Sequence, residues 1–296
     1  MITQEKYAIF IRTPTKTKKG YETMRKLFLL SFLIMLLHGA AGASDVPVDI
    51  RVNGEYIKTD SEPVIRSGVT YAPIRAIADS LGAHSVLWNE NTKTATVNMD
   101  NKVISVKTGS RTAYSDGKPV SLNGSSFIFN NRTYIPVRAM SNLFNAQVGW
   151  DGQYYNVEIT KPSAKVPDNM IDRSFTHDEL YWLAKIINAE SGGEIQQGKV
   201  AVGDVILNRV KSSLFPNTIY GVIFDTTYSV QFEPIINGSI YQDASIHSIA
   251  AAKTSLTNNS TVGKCLYFLN PTTAQSSWIQ KNRIYYKTIG NHDFYL

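Results

Sequence analysis

A chain of 296 residues with 43% apolar content is long enough for two domains of ordinary size, and its formal net charge of +6 invites a nucleic-acid or membrane-surface reading. The distribution of charge removes that reading. Seven of the 30 basic and two of the 24 acidic residues fall within residues 1–43, leaving 23 against 22 beyond them, a net of +1.

In chain order, the first feature is "MRKLFLLSFLIMLLHGAAGASD". Met24, Arg25 and Lys26 precede an apolar run at 27–37 and the small residues Ala41, Gly42 and Ala43. These are the three regions of a secretory signal peptide, with removal expected after Ala43. Residues 1–43 are therefore read as the signal region, with Met24 the better start. An apolar run of about eleven residues is short of the roughly twenty needed to span a bilayer, so no stable transmembrane anchor is expected. The chain is expected to be exported, to the cell wall, the spore or the extracellular space. Cys265 is the only cysteine, so an internal disulfide is impossible. In an exported protein of this size that suits a Gram-positive-like surface. Cys265 itself reads as a small buried strand residue.

Residues 44–160 contain a duplication. "GVTYAPIRAIADSLGAHSVLWNENTKTATV" and "NRTYIPVRAMSNLFNAQVGWDGQYYNVEI" share a Tyr-x-Pro-(Ile/Val)-Arg-Ala core at 71–76 and 134–139. Trp88 and Trp150 repeat 62 residues apart, and Asn53-Gly54 and Asp116-Gly117 repeat 63 apart. Each copy predicts a turn before a strand, a short helix with Pro73 or Pro136 in its first turn, then strands such as "TKTATVNM". The pair resembles the N-terminal repeat of some bacterial copper amine oxidases and of many surface stalk proteins. The resemblance implies a strand-rich spacer or wall-associated module, contacting cell wall or spore cortex. Copper is not expected, because His84 stands without clustered ligands. Arg75 and Arg138 suit either a structural role, repeated in identical settings, or contact with a polyanion.

Residues 161–173 are polar, with two prolines and no periodicity, and read as a linker. Helical signals dominate residues 174–296. Thr176 and Glu179 make a capping box before Leu180. Leu180, Leu183 and Ile187 form one helical stripe, and three residues on the stripe meets Glu190, followed by Gly192 and Gly193. A carboxyl on an apolar face suits an acid kept protonated near neutral pH; equally, a helix that ends early would leave it solvated or capping the next helix. "QGKVAVGDVILNRVKS" predicts a second helix with Val202, Val205 and Ile206 on one face, and "CLYFLN" and "RIYYKTIG" predict two strands. Asp204 is expected to face solvent. The fold class is α+β, a mainly helical C-terminal domain behind a duplicated strand-rich one.

"LAKIINAESGGEIQQGKVAVGDVILNRVKSSLFPNTIYGVIF", with "QFEP", "CLYFLNPTTAQSSWI" and the terminal "IGNHDFY", resembles the cell-wall hydrolase family that includes spore cortex-lytic enzymes. The resemblance implies a lysozyme-like fold and cleavage of peptidoglycan glycan strands. Its "AE-A/S-x-G-E" motif implies that Glu190 is the catalytic acid. Gln231, Phe232, Tyr267, Asn270 and Trp278 are candidates for the sugar groove, Trp278 being equally suited to the core. Were water the nucleophile, Glu194, Glu233 or Asp243 would supply a second acid, although Glu194 also suits the start of the second helix. Asn208 and Arg209 fit a helix-buried network, and His292 fits a structural role near the site. No cofactor is expected, since the five histidines are scattered. Two rivals stand beside this reading. One is a cysteine peptidase or amidase using Cys265 and His292, and the other a wall-binding or spore-structural protein without turnover.

Overall fold

The computed structural model describes residues 48–227, 230–274 and 276–296; the expected signal region at 1–43 lies outside them. The described residues fall in one compact unit. Its first copy of the repeat runs β1 (Asp49–Val52), β2 (Glu55–Tyr56), β3 (Val64–Arg66), β4 (Val69–Pro73), α1 (Ile74–Ser80), β5 (Ser85–Asn89) and β6 (Thr94–Met99). After β7 (Lys102–Lys107) the second copy gives β8 (Thr112–Ser115), β9 (Lys118–Ser121), β10 (Phe127–Phe129), β11 (Arg132–Pro136), α2 (Val137–Leu143), β12 (Gln147–Asp151) and β13 (Asn156–Thr160).

Local chemistry accounts for these elements. Asn53-Gly54 and Asp116-Gly117 have positive φ at both positions, which a two-residue hairpin turn of matching twist requires. In β6, Ala95, Val97 and Met99 point inward and alternate with half-exposed Thr94, Thr96 and Asn98. Pro73 and Pro136 occupy the helix N-cap, one residue ahead of the expected first turn.

Strands β4 and β11 pair antiparallel, with Tyr71 opposite Pro136, Tyr134 opposite Pro73 and Ala72 opposite Ile135. Because 71 and 134, and 73 and 136, are equivalent positions of the repeat, this register is a local two-fold about the 72–135 pair. The strand order is β10-β11-β4-β3 in this shared sheet, β12-β13-β1-β2 in a second and β5-β6-β7-β8-β9 in a third. One core spans both copies, with Ile50, Ile77, Met99, Ile135, Met140 and Ile159 among its buried members. Neither copy buries its apolar face alone, so the duplication folds as one body.

Residues 161–173 do not hang free. Val166 and Ile171 are buried in that same core, Ile171 bridges to Ile57, and Lys161 pairs with Asp100 at 2.6 Å.

The second lobe runs α3 (His177–Ser191), α4 (Gln196–Lys211), α5 (Ile219–Ile223), α6 (Glu233–Asn237), α7 (Ile246–Thr257), β14 (Tyr267–Leu269), α8 (Trp278–Asn282), β15 (Tyr285–Ile289) and β16 (His292–Tyr295). The capping box forms, with Thr176 Oγ1 accepting from the Glu179 amide and the Glu179 carboxylate from the Thr176 amide. Helices α3, α4 and α7 pack against one another over Leu180, Leu183, Ile187, Ile206 and Ile249. The strand order β14-β16-β15 adds a strand, β16, to the two expected. Cys265 lies ahead of β14 rather than in a strand, but it is fully buried as expected. The architecture is mixed α+β. Among the described residues no helix is long and apolar enough to cross a membrane.

The lobes meet through buried polar contacts. Lys253 on α7 pairs with Asp49 on β1 at 2.7 Å and also donates to the Tyr155 carbonyl. Burial holds the Tyr56 hydroxyl above its usual range, and it shares a hydrogen bond of 2.9 Å with His177 Nδ1. Burial first, then the Arg51 charge, hold His177 below its ordinary value, against Asp151, Glu158 and Asp178. The folded chain therefore binds fewer protons at this site than the unfolded one, and the stabilisation present above pH ~6.5 is lost as pH falls. The melting temperature is expected to fall from pH 7 to 5, and less steeply in His177→Gln, whose side chain has no proton to gain. An equal slope in both proteins would contradict this.

Candidate active site

Helix α3 turns the Leu180, Leu183 and Ile187 stripe inward, and all three side chains are fully buried. Glu190 follows them in the last turn, before the helix stops at Ser191 with Gly192 as its C-cap. The two glycines have different duties. A Cβ on Gly192 would lie 2.6 Å from the Asn188 carbonyl oxygen, so only glycine fits there, whereas a Cβ on Gly193 would meet open space.

Glu190 lies in the wall of a cleft of about 480 Å³, between the 188–194 segment and a facing wall that includes Leu269, Asn270, Thr273 and His292. Burial, and second the negative charge of Glu233, push the Glu190 carboxyl up to about 7, against the pull of Arg209. Desolvation penalises the carboxylate, and a like charge nearby adds to the penalty. The result is a carboxylic acid that keeps its proton to higher pH than an ordinary side-chain carboxyl.

Arg209, on α4, is the countercharge. Its Nε donates to the Leu266 carbonyl at 2.7 Å, and its guanidinium carbon lies 4.9, 5.3 and 5.7 Å from the ring centres of Phe215, Phe232 and Tyr267. Burial lowers it to about 10, so it remains a cation at pH 7. Its Nη1 is buried without a hydrogen-bond partner among the described residues. Sequence reasoning placed Arg209 in a structural network; its proximity to Glu190 was missed, because nothing local signals a contact between two helices. Its neighbour Asn208 donates to the carbonyls of Gly263 and Cys265, so both side chains tie α4 to the segment before β14.

The expected site residues divide. Glu233 opens α6 and acts on Glu190 through its charge. Asn270 lines the cleft, but its Oδ1 already accepts from the Thr272 amide and hydroxyl. Gln231 is exposed beside Phe232. Phe232 is buried, with its ring packed under the Arg209 guanidinium. Tyr267 is half-buried, accepting from Arg283 at its hydroxyl, and Trp278 is half-exposed over the same guanidinium, not in the core.

Glu194 lines the same cleft as Glu190. It pins the β15–β16 turn, accepting from the Asn291 amide at 3.0 Å and the Asn291 side chain at 2.9 Å, with His292 Nδ1 at 3.7 Å. Burial alone would raise its carboxyl, but the Asn291 hydrogen bonds prevail and hold it below the usual carboxylate range. Asp243 is exposed and pairs with buried Lys185 at 3.2 Å. Asp204 is buried rather than solvated, accepting from the Thr261 amide and hydroxyl at 2.6 and 2.7 Å. Burial pushes the Cys265 thiol up, the opposite of an activated nucleophile. Arg75 and Arg138 make equivalent ties, donating to the Val86 and Val148 carbonyls.

Comparison with known proteins adds two domain matches and several relatives. Residues 51–159 match the copper amine oxidase N-terminal domain model, and residues 193–295 match the cell wall hydrolase model. The second match begins three residues after Glu190, so the case for Glu190 rests on its surroundings. A spore cortex-lytic enzyme of Bacillus cereus is 36% identical over 138 residues, 46% of this chain and 52% of that protein. One from Oceanobacillus iheyensis is 35% identical over 133 residues, 45% of each chain. The chain thus spans about half the length of these relatives. The solved catalytic domain of the germination-specific lytic transglycosylase SleB from Bacillus anthracis is 36% identical, aligned over 43% of this chain and 100% of that one, with a TM-score of 0.39. The chain accordingly carries a cell wall hydrolase domain, preceded by a domain of the copper amine oxidase N-terminal type.

Proposed function

We propose that this chain is an exported enzyme that cuts peptidoglycan glycan strands between N-acetylmuramic acid and N-acetylglucosamine, acting on the spore cortex during germination. On this reading residues 174–296 are a lysozyme-like catalytic domain, 161–173 a connector, and 44–160 a domain that holds the wall. The observation that carries it is the Glu190 carboxyl, pushed up to about 7 in the wall of an open cleft. The likeness to spore cortex-lytic enzymes supports the same substrate.

Bond cleavage needs a proton on the departing oxygen. Protonated Glu190 donates it, the C1–O bond breaks, and C1 takes on oxocarbenium character. The muramic C6 hydroxyl then attacks C1 and gives its proton to the Glu190 carboxylate, regenerating the acid and leaving a 1,6-anhydro end. One carboxyl serves both steps. Of the acids that a water-using alternative would need, Glu194 is bound to Asn291 and Asp243 to Lys185, which leaves Glu233.

Mass spectrometry of peptidoglycan digested by the purified protein is expected to show anhydromuramic ends. Reducing ends would transfer the second step to water and make Glu233 the residue to replace next. No fragments from either cortex or vegetative wall would overturn the enzymatic reading.

A further inference from the structure

The duplication allows the chain to be compared with itself. The two copies have diverged, and most of their shared positions, such as Tyr71/Tyr134, Pro73/Pro136 and Ala76/Ala139, are buried and explained by packing. Arg75/Arg138 and Trp88/Trp150 are different. They are shared and exposed, with the two tryptophans 39% and 44% accessible. An exposed tryptophan contributes little to a core, so its presence in both copies needs another account. Both pairs line grooves, and the local two-fold makes those grooves equivalent: Arg75 and Trp88 face the β10–β11 hairpin, and Arg138 and Trp150 face β3–β4.

The grooves are no longer alike. The Trp88 groove encloses about 700 Å³ and the Trp150 groove about 230 Å³; sites for small ligands run to about 300–1,000 Å³. In the larger one Glu90 accepts from Trp88 Nε1 at 2.6 Å, which fixes the ring, and Lys93 and Arg132 add cations, paired with Glu90 and Asp60. The equivalents of Glu90, Lys93 and Arg132 at the second groove are Gly152, Tyr155 and Val69. Tyr155 packs edge-on against Trp150 at 4.8 Å. The second groove has lost its charged rim and most of its space.

We propose that the Trp88 groove is a binding site for a β-1,4-linked N-acetylated aminosugar strand, distinct from the Glu190 cleft. It rests on reading the chain as a peptidoglycan-cleaving enzyme, and deepens it by naming where the first lobe holds the wall. A pyranose has an apolar face of axial C–H bonds, which suits the electron-rich face of a fixed indole. The guanidinium of Arg75, tied by one donor to the Val86 carbonyl, leaves others for the acetamido carbonyl and lactyl carboxylate. The lining charges Arg75, Lys93 and Arg132 outnumber Asp60 and Glu90 by one, complementary to the lactyl carboxylates that a peptide-free strand exposes.

The test uses the full chain carrying Glu190→Gln, so that no turnover confuses binding, and measures its affinity for peptide-free glycan strands and its co-sedimentation with intact sacculi. Adding Trp88→Ala or Arg75→Ala is expected to weaken strand binding about tenfold, Trp88→Phe to restore most of it, and Trp150→Ala to matter less. Unfolding curves establish that each variant is folded, since both side chains are at the surface. Unchanged strand binding in a folded Trp88→Ala/Arg75→Ala chain would overturn the proposal, as would a larger loss from Trp150→Ala. Binding to sacculi but not to peptide-free strands would overturn it in favour of the wall peptides or another polymer. Cleavage by the wild-type chain is scored separately, so loss of one reading leaves the other measurable.

Discussion

Glu190→Gln is expected to reduce release of peptidoglycan fragments by about 10³-fold, within the 10²–10⁴ that general acid–base catalysis contributes. The amide preserves the shape of the side chain and removes its proton, so the fold and wall binding should persist. If Glu190 donates that proton, activity requires the protonated form and should decline as pH rises through about 7. Two neighbours should move that decline in opposite directions. Glu233→Gln removes a negative charge that favours protonation, so the alkaline limb should shift to lower pH. Arg209→Gln removes the opposing positive charge, so the limb should shift to higher pH, together with some loss of stability from the severed Leu266 bond. Rate profiles of the wild type and both variants on one soluble substrate decide the matter. Identical limbs in all three would remove Glu190 as the titrating acid.

Gly203→Val should be among the most damaging single changes to folding. Gly203 lies where α4 crosses α3 and α7, and a Cβ there would stand 2.7 Å from Ser255 Oγ and 2.8 Å from Ile187 Cδ1. Ser255 already donates to the buried Val200 carbonyl, so it cannot turn aside without losing that bond. Overpacking of this kind costs about 1–3 kcal/mol, and a β-branched residue should reach the top of the range. The displaced Ile187 is one turn before Glu190, so activity should fall further than the folded fraction alone explains. Denaturant unfolding beside specific activity separates the two effects. Gly203→Ala combined with Ile187→Val and Ser255→Ala should recover much of the loss, whereas a neutral Gly203→Val would mean that the helices are not so closely packed.

The legible features were the local ones. The Asn53-Gly54 and Asp116-Gly117 turns, the alternation along β6 and the Thr176–Glu179 box each depend on residues a few positions apart. The inward stripe that ends in Glu190 is local in the same sense. What escaped was carried by distance. Glu194 meets Asn291 across 97 positions, and Asp204 meets Thr261 across 57, so neither partnership leaves a pattern in either segment. A carboxylate on a helix looks the same in sequence whether solvated or satisfied by a distant loop. Phe232 hides a partner for a related reason: an aromatic beside a polar run suits a sugar face, and the guanidinium that packs on it comes from another helix. Helix α7 was overlooked although Ser245 caps it and alanines fill it, because its apolar face is nearly continuous and lacks a helical period.

The joint between the lobes bears on how such a molecule works along a polymer. Lys253 and Asp49, Tyr56 and His177, and the anchored 161–173 strip make a weld in place of a string. A string would let the blade wander over many bonds near its anchor, with a local concentration that thins as the tether lengthens. A weld sacrifices that reach for aim. On the proposed reading, whatever the first lobe grasps meets the cleft at one distance and one angle, so cuts should fall at a set spacing from the grip, like marks along a ruler.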